Sequence, residues 1–148
     1  MAEQKKVLIT GSNGLLGQAM VKIFRDDYFV IGCDLTGESF NTNYPENEYY
    51  HLDLTQRDKV QKGLSQLKPD IIINTAAFTD VDKSEEKRDL CWTTNVRSVE
   101  IMVEAVMDFS RATGSSFTSL RQGHGLLNGV RECRFQNPPG VVVAHVER

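Results

Sequence analysis

Short apolar runs alternate with amphipathic segments over the first 110 residues. From Leu15 to Phe24, apolar residues recur at steps of three and four, which predicts one buried face of a helix. Strands that alternate with such helices are typical of βαβ units. The pattern therefore predicts an α/β fold with a doubly wound parallel sheet, truncated after about five strands. The predicted strands lie in 6–10, 28–34, 49–54 and 70–77, with a weak fifth in 115–120.

The alternation of elements stops near residue 110, and the composition changes there too. All eight lysines occur by Lys87, whereas residues 111–148 contain five arginines and no lysine. Besides the weak strand in 115–120, "GVVVAHV", at 140–146, is a candidate strand in this tail. We therefore expect residues 1–110 to form the α/β domain and 111–148 to be an atypical, irregular tail. The abrupt change suggests an altered reading frame or a splice-like junction near residue 111.

Composition excludes several classes of protein. The net charge of −3 and the 25% of charged residues are ordinary for a globular protein and give no sign of a nucleic-acid partner. No apolar run approaches the roughly 18 residues of a membrane span, and the first ten residues lack the features of a signal peptide. The three cysteines lack metal-ligand spacing, and the acidic residues of 80–89 are interleaved with cations. We expect a cytoplasmic protein with no membrane partner and no metal.

The segment "GSNGLLG", at 11–17, lies between the first strand and the first helix. Glycines in that context let backbone N–H groups approach a pyrophosphate, which the positive end of the helix also attracts. A tight turn that binds nothing is the alternative. The context favours an NAD(P)-binding, Rossmann-like domain in residues 1–110. The predicted cofactor contacts of the turn are Gly11, Ser12, Asn13, Gly14, Leu15, Leu16 and Gly17.

Acidic residues end the second and third predicted strands. Asp34 follows Gly14 by about 20 residues, where a carboxylate accepts hydrogen bonds from the ribose hydroxyls and repels a 2′-phosphate. Asp34 therefore predicts NAD as the cofactor, with NADP as the alternative. Asp53 has two interpretations, an acceptor for the adenine amine or a partner for the start of the following helix.

Four segments, "ITGSNGLLG", "HLDLT", "PDIIINTAAFTDVDKSE" and "TTNV", resemble the amino-terminal half of the extended short-chain dehydrogenase/reductase family. Within that family, residues 5–110 are most similar to the dTDP-4-dehydrorhamnose reductases. The resemblance implies an oxidoreductase that acts on a nucleotide-sugar substrate. It also implies that Asp53 and Leu54 contact adenine, that Ala76 and Ala77 lie along the nicotinamide-side ribose, that Phe78 faces the nicotinamide and substrate, and that Asn95 is the family's helix asparagine.

The catalytic pair of that family is missing from these 148 residues. Hydride transfer there needs a tyrosine acid and a lysine four residues later, but the four tyrosines are followed at that spacing by Gly32, Glu48, Asp53 and Leu54. We assign no catalytic residue and expect the isolated chain to be inactive. A noncatalytic NAD-binding module and a relative of the NAD-dependent epimerases and dehydratases are the alternatives. A sheet edge left exposed would also favour a homo-oligomer.

Overall fold

The computed structural model describes residues 4–41, 48–114, 116–122, 125–127 and 142–147. Most of the helices and strands follow the predicted alternation, and one turn of π-helix, Thr93–Arg97, joins the last two helices. The strands are β1 (Lys6–Thr10), β2 (Phe29–Asp34), β3 (Glu48–His51), β4 (Ile71–Asn74), β5 (Ser116–Gln122), β6 (Gly125–Leu127) and β7 (Val142–Glu147). The helices are α1 (Leu15–Phe24), α2 (Arg57–Leu67), α3 (Val81–Glu86), α4 (Arg88–Trp92) and α5 (Ser98–Thr113).

The strands form one sheet in the order β3-β2-β1-β4-β7-β5-β6. The first four are parallel, with β1 between β2 and β4. This arrangement confirms the predicted α/β, Rossmann-like parallel sheet. Because β1 has neighbours on both sides and helices over both faces, it contains no charged residue after Lys6.

The described part of the tail contains strands at both of its candidate positions, 115–120 and 140–146, although the tail as a whole was expected to be irregular. Its strands β5, β6 and β7 extend the sheet, and β7 lies antiparallel to β4 with Ile72 opposite Ala144. The edge of β4 would otherwise expose a row of unpaired backbone N–H and C=O groups. An antiparallel strand satisfies that edge, so the sheet gains strands but loses its parallel character beyond β4.

Alternate residues of the parallel strands pack against opposite layers. Leu8, Ile31 and Ile72 point to the layer of α2 and α5, whereas Val7 and Ile9 point to the layer of α1. This period of two is the ordinary geometry of a strand and explains how short apolar runs are buried on both faces. Among the helices of the described ranges, none combines the length and the apolarity needed to cross a membrane.

Polar contacts fix the carboxyl ends of β1 and β4 to each other. Thr10 Oγ1 donates to Asn74 Oδ1 at 2.5 Å, and both residues are buried. The backbone and the hydroxyl of Thr75 then donate to the Thr10 carbonyl at 3.0 and 2.7 Å. The buried side chains of Thr10 and Asn74 therefore have partners, and the chain leaves both strands at a fixed place.

Candidate functional site

A cavity of about 350 Å³ lies at the carboxyl ends of the parallel strands. Its volume falls within the range of small-molecule sites, and this edge is where open α/β sheets bind ligands. The wall combines residues from the glycine turn, the strand ends and the start of α5. The lining residues are Gly11, Asn13, Gly14, Cys33, Asp34, Leu35, Thr36, Phe40, Leu52, Asp53, Leu54, Thr55, Thr75, Ala76, Ala77, Thr94 and Ser98.

Two of the three glycines in the turn are required by the fold itself. Gly11 has a φ of +69°, and a β-carbon there would lie 2.6 Å from the backbone nitrogen of Ala76. A β-carbon on Gly17 would lie 2.1 Å from the carbonyl oxygen of Gly11. Side chains at these positions would therefore force the turn away from β4 or α1 away from the turn.

Gly14 is different, because its backbone conformation suits any residue. Its φ and ψ are −70° and 166°, and a β-carbon there would have only the Gly11 carbonyl oxygen nearby, at 3.3 Å. Gly14 lines the cavity and precedes the first residue of α1. The missing side chain therefore keeps the cavity wall bare at the positive end of a ten-residue helix.

Asp34 is held at the cavity wall by two backbone donors. Its Oδ2 accepts from the Asn13 N–H at 3.0 Å, and its Oδ1 accepts from the Leu35 N–H at 2.7 Å. A carboxylate has about four acceptor positions, so each oxygen keeps capacity for a further donor. The carboxylate thus links β2 to the glycine turn while it faces the cavity.

Four predicted turn residues, Ser12, Leu15, Leu16 and Gly17, are not part of the cavity wall. Ser12 is fully buried, and its hydroxyl packs beneath the turn against Gly32 of β2. Leu15 is 92% exposed at the start of α1. A contact with a ligand at these positions would therefore involve the backbone or a molecule that extends beyond the cavity.

Asp53 lines the cavity but is bonded to the residues that precede α2. Its Oδ1 accepts from the backbone and hydroxyl of Thr55 at 2.9 and 2.7 Å, and its Oδ2 accepts from Gln56 at 2.9 Å. Burial raises the pKa of Asp53, but the bonds from Thr55 and Gln56 outweigh it and lower that pKa below its usual value. This geometry matches the helix-start interpretation, and the adenine contact stays a prediction.

Leu54, Ala76 and Ala77 line the cavity as a group with small or apolar side chains. Phe78 and Asn95 lie next to that group and outside the wall. The Asn95 side chain accepts from the Phe78 N–H at 2.7 Å and donates to the Phe78 carbonyl at 3.1 Å. Asn95 therefore holds the segment that follows β4.

The sequence interpretation missed several wall residues, for two different reasons. Leu35, Thr36 and Thr75 directly follow strand ends, and that position was a usable signal. Thr94 and Ser98 reach the wall through the π-helical turn, in which Ser98 Oγ donates to the Thr94 carbonyl. A π-helical turn has no sequence signature comparable to a glycine pattern.

The cavity does not provide a reactive thiol. Burial, with a smaller contribution from the Asp34 carboxylate, raises the pKa of Cys33 far above its usual value. The thiol therefore stays protonated and contributes apolar surface to the wall.

Comparison with known families agrees with this geometry. The sequence model of the family described as RmlD substrate binding domain matches residues 5–112. The chain belongs to the RmlD family. This confirms the resemblance to the extended short-chain dehydrogenase/reductases and to their dTDP-4-dehydrorhamnose reductase branch.

The curated relatives of this RmlD-family chain match it over only part of their own length. The dTDP-4-dehydrorhamnose reductase of Aggregatibacter actinomycetemcomitans is 32% identical over 109 residues, which are 72% of this chain and 32% of the relative. Methionine adenosyltransferase 2 subunit beta of Xenopus tropicalis is 32% identical over 97 residues, 65% of this chain and 27% of the relative. This chain therefore spans about a third of the length of these curated relatives.

A solved structure supports the same assignment. The hypothetical dTDP-4-dehydrorhamnose reductase of Sulfolobus tokodaii is 32% identical, has a TM-score of 0.60, and is matched over 70% of this chain and 36% of that structure. The fold and the family are therefore shared over the region that contains the cavity.

Proposed function

We propose that this chain is the dinucleotide-binding portion of an NAD-dependent sugar-nucleotide oxidoreductase similar to the dTDP-4-dehydrorhamnose reductases. The observation that carries the proposal is Gly14. The fold strictly requires glycine at Gly11 and Gly17. It requires glycine less strictly at Gly14, where a β-carbon would meet one atom, the Gly11 carbonyl oxygen at 3.3 Å, and where the backbone borders the cavity. A close approach by a ligand's phosphates is the role that this bare backbone fits.

The remaining wall residues fit the rest of a dinucleotide. Asp34 would accept the ribose hydroxyls of the adenosine, since its carboxylate keeps acceptor capacity beside the cavity. Leu54 offers apolar surface for adenine, and Ala76 and Ala77 leave room for the second ribose. The bound cofactor would supply or accept a hydride, while these residues bind and orient it.

The cofactor preference follows from charge. Asp34 and Glu38 are acidic, and residues 35–41 contain no lysine or arginine to pair with a 2′-phosphate. We therefore propose NAD, with NADP as the weaker ligand.

A noncatalytic nucleotide-binding subunit is the second candidate. Its support is the missing Tyr-x-x-x-Lys pair in these 148 residues, together with similarity to a protein named as a subunit, methionine adenosyltransferase 2 subunit beta. Under this alternative the chain binds dinucleotide and reduces nothing by itself. A relative of the epimerases and dehydratases would use the same cofactor site.

Calorimetric titration of the purified chain with NAD and with NADP tests the binding proposal. We expect saturable binding of NAD and weaker binding of NADP. No binding of either nucleotide by a folded chain would reject the proposal. A parallel assay of NADH oxidation with a dTDP-4-keto sugar tests the second candidate, because turnover would reject a noncatalytic subunit. Absence of turnover is expected of either candidate, since the Tyr-x-x-x-Lys pair is missing from these 148 residues.

The division of the chain is a separate part of the proposal. We propose that residues 1–110 are the nucleotide-binding unit and that 111–148 do not derive from the family. The family match, which ends at residue 112, supports this boundary. Translation of the encoding nucleotide sequence in the other two frames tests it, and the absence of a family-like continuation would contradict the altered reading frame.

A further inference from the structure

The loop after β2 is fastened to the glycine turn by one side chain. Asn13 is only 8% exposed, and its Nδ2 donates to Thr36 Oγ1 and to the Glu38 carbonyl, at 2.5 and 3.0 Å. Its Oδ1 accepts from the Phe40 N–H at 2.8 Å. Asn13 therefore contacts three positions of a loop that lies more than 20 residues away in sequence.

The orientation of the Asn13 amide follows from its partners. The Phe40 N–H can only donate and the Glu38 carbonyl can only accept, so an inverted amide would lose both bonds. An aspartate in this place would keep the acceptor for Phe40 but would turn a carboxylate oxygen toward the Glu38 carbonyl. The loop therefore requires both a donor and an acceptor from the side chain at position 13.

The same loop forms the cavity wall next to Asp34. Leu35, Thr36 and Phe40 line the cavity, and the Tyr49 hydroxyl donates to the Thr36 carbonyl at 2.6 Å. Burial raises the pKa of Tyr49, so its hydroxyl remains a donor. The loop is thus held from the turn on one side and from β3 on the other.

Asn13 and Asp34 are coupled through the turn backbone. The Asn13 N–H donates to Asp34, and the Leu35 N–H, at the start of the loop, donates to the other carboxylate oxygen. Asp34 cannot turn away from the cavity while both donors stay in place. A 2′-phosphate would then meet a fixed carboxylate and a loop without a cation, whereas a 2′-hydroxyl would meet an acceptor.

We propose that Asn13 is the positioning residue that sets the cofactor preference, because its side chain holds residues 36–40 against the turn and keeps Asp34 facing the ribose 2′-position. This inference rests on the proposed binding of a dinucleotide. It adds a role for the Asn13 side chain, which acts through the loop and through Asp34 and does not need to touch the ligand.

The test compares affinities for NAD and NADP by calorimetry in the parent chain and in Asn13→Ala. The substitution should weaken NAD more than NADP, so the NAD-to-NADP affinity ratio should fall about tenfold, which equals about 1.4 kcal/mol. Gln61→Ala is the matched control. It also removes a hydrogen bond made by a side-chain amide, from Gln61 to Asp108 at 2.9 Å, but this bond is exposed and lies outside the cavity wall. Its ratio should equal that of the parent.

A second readout follows the loop without any nucleotide. Loss of the Asn13 acceptor should speed hydrogen exchange at the Phe40 amide in Asn13→Ala relative to the parent and to Gln61→Ala. If Asn13→Ala does not fold, Tyr49→Phe is the second variant, because it removes the hydroxyl that donates to the Thr36 carbonyl. It should lower the NAD-to-NADP affinity ratio about two- to fivefold, consistent with the loss of one hydrogen bond.

The outcomes separate this inference from the proposed function. A lower NAD-to-NADP affinity ratio in Asn13→Ala together with faster exchange at the Phe40 amide supports the positioning role. If the parent chain prefers NAD and folded Asn13→Ala has the same NAD-to-NADP affinity ratio, the positioning role of Asn13 is overturned and the proposed function stays intact. A parent that binds neither nucleotide overturns both.

Discussion

Alanine substitution of Gly14 and of Gly17 should distinguish two roles of the turn glycines. We expect Gly14 to matter for NAD binding and Gly17 for the stability of the fold. A β-carbon on Gly17 would lie 2.1 Å from the Gly11 carbonyl oxygen and 2.7 Å from the Ser12 Cα, both of them backbone atoms. Forced contacts of this kind destabilise a packed region by about 1–3 kcal/mol, and occasionally more. We expect Gly17→Ala to be at the upper end, because α1 must shift to relieve the contact.

Gly14→Ala should leave stability nearly unchanged. Alanine is a poorer N-cap than glycine by several tenths of a kcal/mol, but glycine-to-alanine substitution restricts the unfolded chain and contributes about 0.4–1 kcal/mol in the other direction. The backbone at Gly14 already has angles that alanine adopts. A β-carbon there would also approach the Gly11 carbonyl oxygen to 3.3 Å, a tight contact that a small shift relieves. The free energy of unfolding should therefore change by no more than about 1 kcal/mol, well below the loss in Gly17→Ala.

Binding should show the opposite order. A β-carbon at Gly14 would enter the space where a phosphate meets the backbone, and loss of one charge-assisted hydrogen bond weakens binding by about 1.5–3 kcal/mol. We expect NAD affinity to fall roughly tenfold to a hundredfold in Gly14→Ala, and further in Gly14→Val.

Urea denaturation followed by circular dichroism, and calorimetric titration with NAD, measure the two effects. Gly63→Ala is the control, since a β-carbon there makes only ordinary contacts of 3.5 Å or more, with the side chains of Tyr50 and Leu52. It should retain the parental affinity. Parental NAD affinity in folded Gly14→Ala, or a loss of stability equal to that of Gly17→Ala, would refute the assignment of Gly14 to binding.

Three further predictions concern other parts of the molecule. Asp34→Ser should weaken NAD and relieve repulsion of NADP, and a calorimetric affinity ratio unchanged from the parent would contradict the role of Asp34. Asp53→Asn should lower stability at pH 7, because the pKa of Asp53 is depressed in the folded chain. The stabilisation by Asp53 is present above its unfolded pKa of about 3.9 and is lost as pH falls through the lower folded value, so the stability difference should shrink below about pH 4 in urea titrations. A difference that does not depend on pH would argue against it. Ala144→Pro places a proline inside β7, between β4 and β5, where it disrupts the strand that covers β4. It should increase association in light scattering, whereas association unchanged from the parent would show that β7 does not protect that edge.

Features encoded by short stretches of sequence were predicted well. Each of the four parallel strands overlaps one of the predicted runs, at 6–10, 28–34, 49–54 and 70–77. The three inner ones, β1, β2 and β4, carry no charge between their end residues, as expected of strands covered on both faces. The glycine turn and Asp34 were located by their spacing from strand ends, which the βαβ geometry fixes. The structure brings most of these predicted residues together around one cavity.

Other features depend on partners that are distant in the chain. Asn13 was predicted as a turn residue, but its side chain bonds to a loop 23 to 27 residues later. Asn95 holds the backbone of Phe78, 17 residues earlier, only because the π-helical turn faces the end of β4. The antiparallel position of β7 beside β4 likewise depends on which strand reaches an open edge.

The sequence by itself determined the α/β class, the positions of the first four strands along the chain, and the polar residues available at the ends of those strands. These features follow from periodicity and glycine spacing, which are set within a few residues. Only the tertiary structure decided that Gly14 is the turn glycine that packing requires least, that Asp53 bonds to the residues before α2, and that Asn13 holds the loop beside Asp34. These roles depend on distances of 2 to 4 Å between atoms that the chain brings together only after the sheet has formed.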